Sequence, residues 1–227
     1  MRMTLPRRLA ATLRRGGDDT SGVALIEFAL ALPLLLMIAM VGIETAQIAV
    51  TLLRLNQIAM MAADNAARVR PTIDEQDINE LVVGLKFIGS GIKLGDSGRV
   101  ILSTLESNGR TGTNAGYKIT WQRCYGAKNV ISSYGLQGAG ANNASLRLGM
   151  GPTGSKVTPV STSSALVFAE VRYDYQPLIA SVFMDRFEMK AIQSFVVRDR
   201  AQQTLTNTAN LPDAQRRLCD AQHLSAA

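Results

Sequence analysis

Few residues in this chain are of the types that catalyse reactions or bind metal ions. The sequence has one histidine, His223, and two cysteines, Cys124 and Cys219. A single histidine excludes sites built from several histidines, and two cysteines are too few for a zinc site of four thiolates. They suffice for one disulfide bond. We therefore expect no bound metal and no cofactor.

One short segment is similar to the surroundings of a serine nucleophile, namely Gly95-Asp96-Ser97-Gly98. Its general base would have to be His223, which follows the serine in the chain, whereas the histidine precedes the serine in the corresponding proteases. A turn rich in glycine and aspartate explains the four residues better.

Two further motifs are incomplete. Gly149–Gly154 has the spacing G-x-G-x-x-G, but the residues that follow, VTPVSTSS, do not favour the helix whose N-terminus would receive a phosphate. Ser90–Lys93 fits S-x-x-K without its companion motifs. Carboxylates do not cluster either, since Asp74, Glu75 and Asp77 lie where they complement the dipole of a predicted helix. We expect neither an enzyme nor a small-molecule substrate.

The basic charge is concentrated at the N-terminus. The chain has 227 residues and a net charge of +6. Residues 1–22 hold five arginines and two aspartates, so 5 − 2 = +3, and the remaining chain carries the other +3. Because no basic stripe with interleaved aromatic residues follows, the sequence does not indicate nucleic-acid binding.

The segment after this basic arm is apolar and long. Residues 23–43 read VALIEFALALPLLLMIAMVGI, with Glu27 as the only charge. This length matches the ~30 Å hydrocarbon core of a bilayer, and the preceding arginines predict a cytoplasmic N-terminus. The alternative is a cleaved secretory signal, whose apolar region normally spans only ~7–15 residues. We predict a transmembrane anchor.

Two residues in the anchor are unusual. Pro33 interrupts helical hydrogen bonding, which membrane helices tolerate, so it marks either a mild kink or a functional feature. Glu27 places an ionisable group in lipid, and such groups usually have a partner. No basic residue lies within a helical turn or two of it, so the partner is not a neighbour in sequence.

The residues at the start of the anchor resemble a known processing site. Gly22-Val23-Ala24-Leu25-Ile26-Glu27-Phe28 is similar to the prepilin-peptidase site of the tight-adherence (Tad/Flp) pilus family. The longer stretch GVALIEFALALPLLL resembles the N-terminal motif of TadE-like pseudopilins. The resemblance implies cleavage between Gly22 and Val23, with the apolar helix kept in the mature protein. It also implies that Glu27 pairs with an N-terminal amine of its own or of a neighbouring subunit.

The pattern of apolar residues predicts an α+β fold beyond the anchor. Apolar and small residues recur at 4-3-4-3 steps, so one helix of ~46 residues continues to Val69 before Pro71 ends it. A capping box at Thr72–Glu75 predicts a second, short helix. The face of the long helix comprises Ile48, Leu52, Leu55, Ala59, Ala62, Ala66 and Val69. A long helix half in lipid and half under a globular domain is also the plan of pilins.

Four β-rich segments follow and predict a small, mainly antiparallel sheet: Arg99–Glu106, Tyr117–Tyr125, Leu166–Tyr175 and Phe187–Val197. Residues 107–116 predict a hairpin loop. Residues 126–165 are rich in Gly, Ser, Asn and Thr and are too long for an ordinary loop, so we expect them to be mobile or to face a partner.

The TadE-like resemblance extends weakly into this part, through Trp121–Cys124, Val171–Leu178 and the late Cys219. If the predicted topology holds, both cysteines are exported to an oxidising compartment. A Cys124–Cys219 bond would tie the C-terminal tail to the second strand, and two unpaired buried thiols are the alternative.

The sequence therefore predicts three regions: a basic cytoplasmic leader at 1–22, a transmembrane helix at 23–43, and a periplasmic α+β domain at 44–227. We expect a minor pseudopilin of the bacterial inner membrane, with the prepilin peptidase and other pilins as partners. In the membrane, Glu27 and Pro33 would contribute to subunit packing. The alternative is a periplasmic binding or adhesive domain on an uncleaved anchor, outside any filament.

Overall fold

A computed structural model describes residues 21–179, 185–198, 200 and 202–219. The chain divides into two compact units, one ending at Gln47 and the other beginning at Ile48. The first helix, α1 (Ser21–Arg68), has 48 residues. Its residues up to Gln47 belong to the first unit, and those from Ile48 onward are the first residues of the second unit.

In the second unit, α1 buries one apolar stripe. Leu55, Ile58 and Ala59 are fully buried, and Ala62, Ala63 and Ala66 continue the stripe towards the C-terminal end of the helix. The prediction that Leu52 belongs to this face is wrong: Leu52 is 42 % exposed and Thr51 is buried instead. A step of three residues and a step of four both approximate the helical period of 3.6 residues, so the spacing alone does not distinguish Thr51 from Leu52.

The second helix, α2 (Glu75–Gly89), begins differently from the prediction. Its N-cap is Asp74, whose side chain accepts a hydrogen bond from the backbone of Gln76, while the Asp77 carboxylate accepts one from the backbone N–H of Asp74. The predicted box at Thr72–Glu75 is therefore wrong by two residues. The cause is tertiary, because Ile73–Asp74 (β1) is extended and pairs in parallel with Leu205–Thr206 (β6).

A short 3-10 turn (Ser90–Ile92) and a four-residue helix, α3 (Leu94–Ser97), lead into a four-stranded antiparallel sheet. Its strands are β2 (Gly98–Ser107), β3 (Tyr117–Tyr125), β4 (Ala165–Asp174) and β5 (Glu188–Val196). The spatial order is β3-β2-β4-β5, so β3 and β5 form the two edges. Each predicted strand corresponds to an observed one, and the α+β prediction is confirmed.

The two faces of the sheet bury different groups. One face and the stripe of α1 contribute to a single apolar core, which includes Trp121, Tyr125 and Val171. A register shift between Ser103 and Leu105 in the β2–β3 ladder turns Ile119 to the other face. There Ile119 joins a smaller cluster with Phe168.

The long segment between β3 and β4 supplies part of this second cluster. Leu146 and Met150 are buried in it, and Met150 forms an isolated bridge with Val157. The hydroxyl groups of Ser132 and Ser133 donate hydrogen bonds to the buried carboxylate of Glu170 on β4, over 2.9 and 2.6 Å. Part of the segment that we expected to be mobile or to face a partner thus packs on the sheet, while several of its large apolar side chains stay exposed.

Candidate functional site

The candidate site of the first unit is the beginning of α1. Gly22, Val23, Glu27 and Phe28 all lie within its first turns, and each is exposed. A side chain added at Gly22 would meet no atom within 4 Å in the described structure. Packing against the described residues therefore does not require a glycine at this position, which leaves the residue free to serve recognition by another protein.

The helix that carries these residues is apolar on all sides. Every residue from 22 to 43 is exposed, and an 18-residue window of the helix has a mean hydropathy of 2.5. By length and composition the helix can cross a membrane. An apolar surface of this extent that buries nothing is typical of a helix that lies in lipid or against other helices.

Glu27 and Pro33 do not share a face of this helix. They are six positions apart in the sequence, which places them roughly 120° apart around the helix axis. The helix continues through Pro33 without a break. Among the described residues no side chain pairs with Glu27, so the structure brings no counter-charge to it.

A second arrangement, in the globular unit, was not predicted from the sequence. Glu75, at the first position of α2, is 1 % exposed and forms an ion pair with Arg123 of β3, which is 4 % exposed. The Nε atom of Arg123 lies 3.1 and 2.9 Å from the two carboxylate oxygens. Arg216 reaches the same carboxylate, with its Nε atom 3.1 Å from Oε1. That hydrogen bond raises the pKa of the Arg216 guanidinium.

The sequence holds a signal for this ion pair. Trp121 and Tyr125 belong to the core between sheet and helices, and strand alternation places Arg123 on that same face. A charged residue at an inward position of a strand requires a buried partner, because an unpaired buried charge is costly. The sequence pattern explains Glu75 only by the helix dipole. Its burial could not be predicted in this way, because it depends on a contact with a residue 48 positions away in the sequence.

The disulfide closes the C-terminal segment over this ion pair. Cys124 and Cys219 are bonded, with their Cα atoms 5.0 Å apart and a sequence separation of 95. The backbone N–H of Cys124 donates to the carbonyl of Arg217 over 2.7 Å. On α2, Asn79 donates to the carbonyl of Gln215 over 3.0 Å. The tail is thus fixed to both β3 and α2.

Asp74 provides a further attachment for the same segment. Burial raises the pKa of its carboxyl group, but hydrogen bonds from Thr208, Gln76 and Thr206 outweigh that effect and lower the pKa below its usual value. The carboxylate accepts from the Thr206 hydroxyl and the Thr208 N–H, each over 2.8 Å. Asp74 and Glu75, two neighbouring carboxylates, thus both bind the C-terminal segment.

The motifs that suggest catalysis find no support in the described part of the chain. Ser97 ends α3 and Gly98 begins β2, while His223 lies outside the described residues. Gly149–Gly154 forms loop structure beside the Met150–Val157 bridge. The described residues contain no group of three His, Cys, Asp or Glu side chains suited to a metal ion.

Comparison with known proteins gives one match. The family model described as TadE-like protein matches residues 22–68, which are the described part of α1 without its first residue. No curated protein and no solved structure matches the chain. The resemblance to the TadE-like family that the N-terminal motif indicates is thereby confirmed for residues 22–68, the segment that holds the predicted processing motif and the apolar helix.

Proposed function

We propose that this chain is a membrane-anchored minor pseudopilin that takes part in the assembly of a tight-adherence (Flp-type) pilus, a relative of the type IV pilus, and catalyses no reaction. The observation that carries the proposal is the position of the motif. Gly22, Glu27 and Phe28 open a helix that matches the TadE-like family and buries none of its residues from 22 to 43.

The proposed sequence of events follows the chain from its N-terminus. The arginines of residues 1–22 hold the leader in the cytoplasm while the helix enters the inner membrane. The prepilin peptidase cleaves between Gly22 and Val23, and the new N-terminus carries a charged amine. The helix then retains the protein in the membrane, from which it enters or primes a pilus.

Glu27 has a defined task in this scheme. Its carboxylate lies in an apolar segment without a partner among the described residues, and a buried charge in lipid is tolerated when it is paired. The amine of Val23, from the same or a neighbouring subunit, supplies the opposite charge after cleavage. Pairing with a neighbour would fix the register of adjacent subunits.

The disulfide supports the proposed topology. Bonds such as Cys124–Cys219 persist in oxidising compartments and are rare in the cytosol. A cytoplasmic leader and a single membrane crossing place both cysteines on the export side, in the periplasm of the host.

The mature N-terminus tests the proposal directly. We expect intact-mass measurement and terminal sequencing of the protein from host membranes to give a chain that begins at Val23. Gly22→Val should abolish cleavage, because a branched side chain does not fit where the peptidase accepts glycine. Gly42→Val is the matched control, since Gly42 lies in the same helix and has equally open surroundings. It should be processed normally.

A second variant separates processing from assembly. Glu27→Gln removes the charge and keeps the shape, so we expect loss of piliation and of surface adhesion even where cleavage proceeds. An unprocessed wild-type chain would overturn the proposal and favour a binding or adhesive domain on a simple anchor. Normal piliation of the Glu27→Gln variant would overturn the role of the charge.

A further inference from the structure

The strand β5 is an edge of the sheet whose outer side is unpaired in the described structure. Its backbone ladder joins it to β4 over the full strand, from Glu188 opposite Asp174 to Val196 opposite Leu166. Beyond the two ends of the ladder, Tyr175 N–H donates to Phe187 and Val197 N–H donates to Ala165. The odd-numbered residues therefore direct their backbone groups to β4.

It follows that the even-numbered residues direct their N–H and C=O groups away from the sheet. These residues are Glu188, Lys190, Ile192, Ser194 and Val196. An unpaired row of this length is a template for another strand, and proteins usually cover it or protect it with charge. Here the only charges are Glu188 and Lys190, at one end, while residues 191–196 are uncharged and rich in strand-forming types.

We propose that β5 pairs in antiparallel orientation with β5 of a second copy of this chain, across a two-fold axis at Ile192. A two-fold interface brings the same surface from both copies together, so a strand pairs with itself in opposite directions. Ile192 is the midpoint of Glu188–Val196, and an axis there pairs the whole strand of one copy with the whole strand of the other. The proposal does not depend on the pilus function.

The neighbouring axes that also use the outward-facing groups are less favourable. Axes at Ala191 and Gln193 pair only residues 188–194 or 190–196 of the nine-residue strand, and charge excludes the next two. An axis at Lys190 places this lysine opposite its own copy, and an axis at Ser194 places Lys190 opposite Arg198. Like charges directly opposite each other destabilise a ladder. With the axis at Ile192, Lys190 lies opposite Ser194 and Glu188 lies opposite Val196, so no like charges meet.

The side chains across this axis are compatible as well. Ile192, half-buried at the margin of the smaller cluster, would meet its own copy and extend that cluster. On the other face, Met189 would lie opposite Phe195, and both already belong to or border the main core. Apolar and aromatic cross-strand pairs of this kind stabilise sheets.

The test is the self-association of the full-length chain in detergent micelles, measured by sedimentation equilibrium. We expect a dimer for the wild type. Ser194→Lys places a lysine opposite Lys190 of the other copy at two symmetry-related positions, and it should raise the dimer Kd about tenfold. Ser194→Glu places a carboxylate opposite the same lysine and should lower the Kd. The double variant Lys190→Glu with Ser194→Lys should restore dimerisation.

Gln193→Lys is the matched control, because it adds the same charge one residue away, opposite Ala191 and on the other face. It should leave the Kd nearly unchanged. A monomeric wild type overturns the proposal. The proposal is also overturned if the wild type dimerises but Ser194→Lys and Ser194→Glu change its Kd equally or not at all. Association would then occur elsewhere, for example through the apolar helix.

Discussion

The two edge strands of the sheet, β3 and β5, differ in how far their outward-facing backbone groups are hydrogen-bonded. Along β3 the chain covers its own edge: Ile119 exchanges backbone hydrogen bonds with residues 138 and 139, and Cys124 donates to Arg217. Along β5 the described structure provides no such cover. The edge at β3 is thus closed by contacts within the chain, whereas the outward-facing backbone groups of β5 have no partner among the described residues.

The closed edge is held by strong interactions. The side-chain oxygen of Gln137 accepts from the N–H of Gln122 over 3.2 Å, and the disulfide fixes Cys219 against the end of β3. The buried carboxylate of Glu75 binds both Arg123 on the strand and Arg216 on the tail. A covalent bond and a buried ion pair therefore act on the same few residues. At the open edge, the ion pairs of Glu188 are partly exposed.

Removing the disulfide should have the largest effect. The bond closes a loop with a sequence separation of 95 residues, and the double variant Cys124→Ser/Cys219→Ser should lose about 4–5 kcal/mol of unfolding free energy. Denaturant unfolding of the full chain in micelles measures the loss. With the tail released, the end of β3 around Cys124 also loses its cover, so the variant should form assemblies larger than the wild type does.

Reduction of the wild-type protein is the control, because it breaks the same bond and keeps every side chain. Equal stability of the oxidised and reduced proteins would mean that the ion pair and the backbone hydrogen bonds close the edge without help. The two edges would then differ in their ion pairs and hydrogen bonds and not through the covalent bond.

Glu75→Gln should have the next largest effect. The variant keeps the shape of the side chain but leaves the guanidinium of Arg123, 4 % exposed, without its counter-charge. Breaking a buried pair in this way costs about 3–5 kcal/mol. Glu80→Gln is the matched control, since Glu80 lies on the same helix and is exposed. Similar unfolding midpoints for the two variants would contradict the role assigned to the buried pair.

Local pattern was sufficient to predict the elements of both edges. The alternation and the flanking turn residues of β3 predict both of its ends correctly, and those of β5 predict them within one residue. Helical spacing likewise predicted the buried positions of Ala59, Ala62 and Ala66 on α1, although it missed Ala63 and Ala67 beside them. Each of these signals lies within a short stretch of sequence, where propensity and burial agree.

The attachments between elements were beyond the reach of such patterns. The N-cap of α2 is Asp74 and not the predicted Thr72, because β6, some 130 residues later in the sequence, pairs with β1 and keeps it extended. Arg216 lies 141 residues from Glu75. Leu146 and Met150 pack on the sheet from a segment whose composition predicts that it is mobile or faces a partner. Contacts of this kind depend on tertiary structure, which overrides local preference.

Lowering the pH should reduce the contribution of Glu188, beside the open edge, to the unfolding free energy, and this effect should be smaller than the two above. Burial raises the pKa of Glu188, but hydrogen bonds from Arg172 and Lys128 outweigh it and lower the pKa to about 2, from 4.5. A lowered pKa in the folded state stabilises the fold fully above the unfolded value. That contribution is lost as the pH falls from about 4.5 to about 2.

The side chain of Glu188 is 26 % exposed, so solvent screens the pair and we expect about 1–2 kcal/mol. The measurement is the difference in unfolding free energy between wild type and Glu188→Gln, which should shrink across this pH window. Because salt screens partly exposed pairs more than buried ones, added salt should also reduce this difference while leaving that of Glu75→Gln nearly intact. If the difference in unfolding free energy between wild type and Glu188→Gln depends on neither pH nor salt, β5 is held by packing and its backbone ladder alone. The open edge would then be fixed in place without the charges that now flank it.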